Sequence, residues 1–405
     1  MSTSFDAQRL EQLRTWADQL VMERKVPGLG LLIFQDGQER LAHFSGWRRA
    51  KEGQAFGRDT LARIYSMTKP ITSAAIMQFV ERGHLTLATP LDQILPAFRS
   101  MNALKPNAKS IDEVEPSRPP TIHELLLHTA GFSSGFNEGL VAREMAKKRL
   151  SFAPKSGGLE GLIDKLAELP LVFQPGTRWE YGSSIDVAGR VVEVLSGQSL
   201  EDYFQAQIFG PLGMDDTSFT VYSDRLHRFA DLYAAVATND FAVDTPADGD
   251  GIQRVERAER SHHRHTETFS GGMGLIGTID DYMLFAEALR CRGQGKQSVI
   301  LAPRTVDFML QNHLQGDISD FGPESFSEEP MSGVGFGLGG AIVTSPARMQ
   351  TPGNVGDFSW GGMASTFFWI DRQLDLSVVF FTQLMPSNAH GLRPRLKALV
   401  HSALT

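Results

Sequence analysis

The two ends of the chain carry matching patterns, and this symmetry constrains the fold more than any other feature. Near the start, Leu10, Leu13, Trp16, Ala17, Leu20 and Val21 recur at helical spacing, which predicts an amphipathic helix ended by Gly28. Two short apolar runs follow, Leu31-Leu32-Ile33-Phe34 and Leu41-Ala42-His43-Phe44, on either side of Asp36-Gly37. That dipeptide between such runs is a strong hairpin signal. At the far end, Thr366-Phe367-Phe368-Trp369-Ile370, a polar turn at Asp371-Arg372-Gln373 and the run Leu376 to Phe381 precede a helix carrying Leu392, Leu396, Leu399 and Val400. Both termini thus supply strands and a helix. The helical periodicity and Gly, Pro and Ser-rich loops between them predict a helical insertion.

The expected organisation is therefore α+β: an α/β lobe from residues 1–66 and 270–405, and a mainly helical lobe from 67–269. Length alone, 405 residues, would suggest two or three domains. Two stretches, 236 to 265 and 315 to 332, read as long surface loops. No repeat and no low-complexity tract is evident.

A net charge of −8 argues against a nucleic acid or an anionic membrane as partner. No run approaches the ~20 apolar residues of a membrane span. The first residues, Met1 to Arg9, have no apolar signal core, and Cys291 is the single cysteine, so a cytoplasmic location is expected. Cys291 reads as a buried apolar thiol. His262, His263 and His265 lack the partner pair and helical glutamate of a zinc site. No metal and no cofactor is expected; the partner is a small molecule, and monomer and homo-oligomer both stay open.

The chemistry concentrates in three segments. In Tyr65-Ser66-Met67-Thr68-Lys69-Pro70, proline tolerates only the first turn of a helix, so Ser66 lies at a helix N-terminus. Spacing of i, i+3 puts Lys69 on the same side as Ser66. A serine hydroxyl needs a neighbouring base before it can attack a carbonyl, and a desolvated lysine can serve. In Trp179-Glu180-Tyr181-Gly182-Ser183-Ser184, Tyr181 is a candidate proton shuttle for the leaving group. In Ser359-Trp360-Gly361-Gly362-Met363, the glycines would let substrate approach an edge strand and offer a backbone N–H to an oxyanion. Gly131-Phe132-Ser133-Ser134-Gly135 satisfies the Gly-x-Ser-x-Gly pattern of α/β-hydrolases. However, a helix capped by Thr121 precedes it where that motif needs a strand.

Ser66-Met67-Thr68-Lys69, Tyr181-Gly182-Ser183 and Trp360-Gly361-Gly362, in this order, resemble the three motifs of the serine β-lactamase and penicillin-binding protein superfamily. Their form is similar to that of family VIII carboxylesterases and of the fungal acyltransferases that acylate statins. Echoes occur at Leu125 to Phe132, Gly210 to Met214, Ser270 to Leu275 and Phe336 to Gly340. The resemblance implies a β-lactamase/DD-peptidase-like fold, an antiparallel sheet flanked by the terminal helices plus a mostly helical lobe, with the active site between. It implies that Ser66 is the nucleophile, Lys69 its activating partner and Tyr181 the acid-base group, with the N–H groups of Ser66 and Met363 as oxyanion hole. Tyr65, Ser183, Trp360, Gly361 and Gly362 would contact substrate. In the β-lactamases, asparagine and lysine stand where this chain has Ser183 and Trp360. Replacing that cation by an indole removes a charge-assisted contact to a carboxylate, so short-chain neutral esters are the expected substrates. A β-lactamase, a D-Ala-D-Ala peptidase and an acyltransferase using the same acyl-enzyme are the alternatives.

Overall fold

The computed structural model describes residues 5–150, 157–235, 251–296, 298–326, 329–387 and 389–405. In chain order, the elements that build and flank the site are α1 (Ala7–Met22), β1 (Gly28–Gln35), β2 (Gln38–Arg49) and β3 (Gln54–Ala55). Next come α2 (Thr68–Glu81), α3 (Ile122–Leu126), α4 (Leu140–Lys147), α5 (Gly158–Ala167), α6 (Ser184–Ser196) and α7 (Ile279–Arg290). The chain closes with β4 (Val334–Phe336), β5 (Ala341–Val343), β6 (Phe358–Gly361), β7 (Phe367–Asp371), β8 (Leu376–Thr382) and α8 (Leu392–Ala403).

One eight-stranded sheet runs β4-β5-β6-β7-β8-β1-β2-β3, with every pairing antiparallel. The two ends of the chain meet in it side by side, Leu32 opposite Val379 and Ile33 opposite Val378. Asp36 and Gly37 both have positive φ, 54° and 71°; such a pair gives the primed turn whose twist matches a two-residue hairpin. Alternation decides the packing. Leu31, Ile33, Phe367, Trp369, Val378 and Phe380 face α1 and α8. Leu32, Phe368, Val379 and Phe381 face α7 in a core that continues without a break to α2 and α6. β8 is therefore buried along its whole length, which is why apolar residues occupy both of its faces, with Ser377 bonded to Glu287 as the polar interruption.

Four local expectations need correction. α1 ends at Met22, and Gly28 instead opens β1, where a Cβ would collide with the backbone of Trp47. Of the stretch 236 to 265, residues 236–250 lie outside the described residues. The rest includes a strand, Ile252–Glu256, beside Leu232–Ala235, and a buried His263. The stretch 315 to 332 is not a plain surface loop: it holds a helical turn at Ile318–Phe321 and a short pairing of Ser325–Phe326 with Glu329–Pro330, with 327–328 outside the described residues. Cys291 is exposed at the C-cap of α7 rather than buried. It projects past the last turn of a helix whose apolar face is already filled. No helix among the described residues is long and apolar enough to cross a membrane, and no group of three potential ligands is placed to hold a metal ion.

Candidate active site

Ser66 sits in a 3-10 turn, Tyr65–Met67, that runs straight into α2. The turn is entered through Tyr65 at φ 43°, a left-handed conformation that costs a non-glycine residue on the order of 1 kcal/mol. Tyr282 Oη fixes the other side by donating to the Met67 carbonyl at 2.9 Å. α2 is buried from Thr68 to Phe79, so Lys69, 1% exposed, must find its partners inside. Its Nζ donates to the Gly272 carbonyl at 2.7 Å and to Ser66 Oγ at 3.2 Å, and lies 4.4 Å from the centre of the Tyr181 ring. A cation over an aromatic face gains electrostatic stabilisation in addition to its hydrogen bonds.

Tyr181 is held by its backbone. Asn137 Nδ2 donates to its carbonyl at 2.8 Å, and the following Gly182 N–H donates to His128 Nδ1 at 3.3 Å. A Cβ at Gly182 would overlap the Phe132 and Ser133 carbonyls. His128 is completely buried and packs 4.7 Å from the Tyr181 ring. Burial first, and the Lys69 charge second, push its pKa well below the usual histidine value, so it is neutral and serves as an acceptor. Around Tyr181 stand Phe326 at 4.9 Å, Trp360 at 5.4 Å and Trp179 at 6.2 Å between ring centres.

β6 supplies the opposite wall. Trp360 stacks on Phe326 and meets Phe336 edge-on, and its indole N–H has no partner among the described residues. Gly362 donates to the Thr366 carbonyl at 2.8 Å, and a Cβ there would strike the carbonyl of Ile64, two residues before Ser66. The glycine is what lets the end of β6 lie against the serine turn. No hydrogen bond to the Met363 N–H occurs among the described residues. Tyr65, Ser66, Tyr181, Trp360, Gly361, Gly362 and Met363 thus all line one cleft of about 240 Å³.

Ser183 does not join them. Its hydroxyl donates to the Ser133 carbonyl at 3.0 Å, and it is not part of the cleft wall, because the turn before α6 aims it into the neighbouring loop. Ser133 itself is 2% exposed and donates to the Glu180 carboxylate. It follows α3, with its Thr121–Glu124 capping box, and not a strand; there is no nucleophile elbow.

The cleft also holds charge that the sequence reading did not foresee. Arg393 and Lys397, one turn apart on α8, line it together with Phe367, Val343 and Met349. The Arg393 guanidinium occupies the space that a side chain at Gly361 would fill and lies over the Phe367 ring at 5.1 Å. The missing lysine of the third motif therefore does not leave the cleft without cations. The signal was present in the spacing of 393 and 397, which places both on the sheet-facing side of α8 together with Leu392, Leu396 and Val400. Phe326 and Met331, also in the wall, come from the stretch expected to be surface loop.

Residues 13–402 match the family model described as Beta-lactamase. The chain belongs to the β-lactamase family. It is 31% identical to Esterase EstB of Burkholderia gladioli over 90% of this chain and 88% of that one. It is 30% identical to monacolin J acid methylbutanoyltransferase of Aspergillus terreus, over 85% and 82% of the two chains. Among solved structures it resembles EstCE1, described as a hydrolase with promiscuous acyltransferase activity, with a TM-score of 0.79 and 28% identity over 98% of both chains. The β-lactamase/penicillin-binding protein-like α+β fold is thereby established, and the family relatives include both an esterase and acyltransferases.

Proposed function

We propose that this β-lactamase family member is a carboxylesterase that works through an acyl-enzyme on Ser66. The observation that carries the reading is the position of Lys69 Nζ, 3.2 Å from Ser66 Oγ and over the Tyr181 ring, where Ser66 and Tyr181 both line the cleft. In this reading Ser66 Oγ attacks the ester carbonyl carbon and its proton passes to the Lys69–Tyr181 pair. The tetrahedral oxyanion is held by the N–H groups of Ser66 and Met363. Tyr181 then returns the proton to the departing alkoxide as the C–O bond breaks, releasing the alcohol. Water repeats the sequence on the acyl-enzyme and releases the acid.

The aromatic walls formed by Tyr181, Phe326 and Trp360 support short acyl chains. Arg393 and Lys397 weaken the case for an exclusively neutral substrate, which rested on the absence of a cation. Hydrolysis of p-nitrophenyl butyrate by the wild type, Ser66→Ala and Ser133→Ala tests the reading, with a chromogenic cephalosporin in parallel. Ser66→Ala should abolish ester cleavage and Ser133→Ala should retain it, with the cephalosporin turned over poorly. A dead Ser133→Ala, or a preference for the cephalosporin, refutes it. Acyl transfer is the second reading, favoured by the transferase among the relatives; added short-chain alcohol would then divert the butyryl group into a new ester at the expense of free acid.

A further inference from the structure

Asp186, on the first turn of α6, is buried next to the reacting residues and is used by none of the steps above. It accepts hydrogen bonds from Ser270 Oγ and, at 3.1 Å, from the Gly272 N–H. The Gly272 carbonyl in turn accepts from Lys69 Nζ at 2.7 Å. One residue's backbone thus joins a buried carboxylate to the lysine beside Ser66. The strap that carries it, Ser270-Gly271-Gly272, is fixed from the α2 side as well, because Thr72 Oγ1 donates to the Gly271 carbonyl at 2.7 Å. Its two glycines are required by closeness. A Cβ at Gly271 would lie 2.8 Å from the Ile185 carbonyl oxygen, and one at Gly272 would lie 2.8 Å from Asp186 Oδ2.

A carboxylate removed from water is costly unless it is well hydrogen-bonded or faces a cation. Asp186 has two donors and the charge of Lys69. Burial raises its pKa, and Ser270, Lys69 and Gly272 act against that rise. The titratable groups around the Lys69 amine are Tyr181 from the turn before α6, His128 from the segment after α3 and Asp186 from α6. With the His128 pKa held well below the usual histidine value, Asp186 is the negative charge facing the ammonium among the described residues.

We propose that Asp186 is the positioning residue of the acyl-transfer centre, holding the Lys69 amine against Ser66 through the backbone of Gly272 and balancing its charge. The proposal rests on Ser66 and Lys69 being the reacting pair. Two consequences separate this role from a merely structural one. Asp186→Asn keeps an acceptor for Ser270 and Gly272 but removes the charge, so protonated Lys69 loses its counter-ion. The acidic limb of the kcat/KM profile should then move to lower pH, on the order of one unit. Ser270→Ala keeps the charge but loosens the strap. It should lower kcat roughly ten- to a hundredfold by misplacing the amine, with KM little changed and the acidic limb in place.

The experiment is p-nitrophenyl butyrate hydrolysis from pH 5 to 9 by wild type, Asp186→Asn, Ser270→Ala and Ser66→Ala, with thermal unfolding of each. A shifted limb in Asp186→Asn together with a kcat loss in Ser270→Ala supports the proposal. If Ser66→Ala is inactive while Asp186→Asn has the wild-type pH profile and kcat, the proposal fails and the catalytic reading stands. If Ser66→Ala remains active, the catalytic reading itself fails. Should Asp186→Asn not fold, Ser270→Ala decides: an unchanged kcat overturns the proposal, and a lowered kcat at constant KM upholds it.

Discussion

Substituting Gly362 by alanine tests the contact between the end of β6 and the serine turn. A Cβ at 362 would lie 2.4 Å from the Ile64 carbonyl oxygen, about 1 Å inside the 3.4 Å at which ordinary contact begins, with Thr366 Oγ1 at 2.3 Å and the Ile64 carbonyl carbon at 3.2 Å. The Thr366 side chain can rotate, but the Ile64 carbonyl belongs to the backbone that leads into Tyr65 and Ser66. Relief therefore requires the two strands of chain to separate by about 1 Å, which moves the Met363 N–H away from Ser66 by a comparable amount. Overpacking of this kind costs about 1–3 kcal/mol of stability. A misplacement of that size costs roughly a hundredfold in rate. Burst kinetics with p-nitrophenyl butyrate would read the acylation rate directly, and thermal unfolding the stability. A folded Gly362→Ala with acylation within twofold of wild type would show that Met363 does not contribute to an oxyanion site and that the close approach has no catalytic consequence.

Three further outcomes follow from the same geometry. Trp360→Ala should cost about 3–5 kcal/mol of stability and shift chain-length preference: each extra methylene accommodated in the vacated space gains roughly fourfold in relative kcat/KM, and an unchanged octanoate-to-butyrate ratio would remove Trp360 from the acyl pocket. Asp357, 1% exposed, has its carboxyl pushed up to about 7, by burial first and then by the Asp371 charge. A carboxyl that binds its proton more tightly in the folded state stabilises below its unfolded pKa and loses that contribution as pH rises from about 4 to 7, by at most about 4 kcal/mol. Urea unfolding at pH 5 and pH 8 should show this decline in the wild type and a smaller one in Asp357→Asn; equal declines would refute the assignment. Cys291, exposed and absent from the cleft wall, should be alkylated without loss of ester hydrolysis, and inactivation on alkylation would refute its distance from the chemistry.

The sequence alone determined the elements whose physics is local. Period-two alternation around Asp36-Gly37, helical period in α1 and α8, and Pro70 at the start of α2 each act within a few residues. Ser66 and Lys69 were legible for the same reason, since one helical turn fixes their separation. What the sequence could not determine is what lies across space from what. Lys69 is joined to Gly272 and Asp186 over more than a hundred residues of chain, and only the packing of α6 and the 270–272 strap on α2 makes that connection. Ser183 was expected to contact substrate, yet the turn before α6 directs its hydroxyl to Ser133, a choice made by tertiary hydrogen bonding. The charge in the cleft was misjudged for a related reason. Replacing one lysine at position 360 is visible in the motif, whereas Arg393 enters the same cleft from the other side of the sheet because Gly361, 32 positions earlier in the chain, leaves it room. Local pattern thus decided which segments fold and which serine lies one helical turn from a lysine, and side-chain placement across the β6–α8 and α2–α6 interfaces decided what surrounds it.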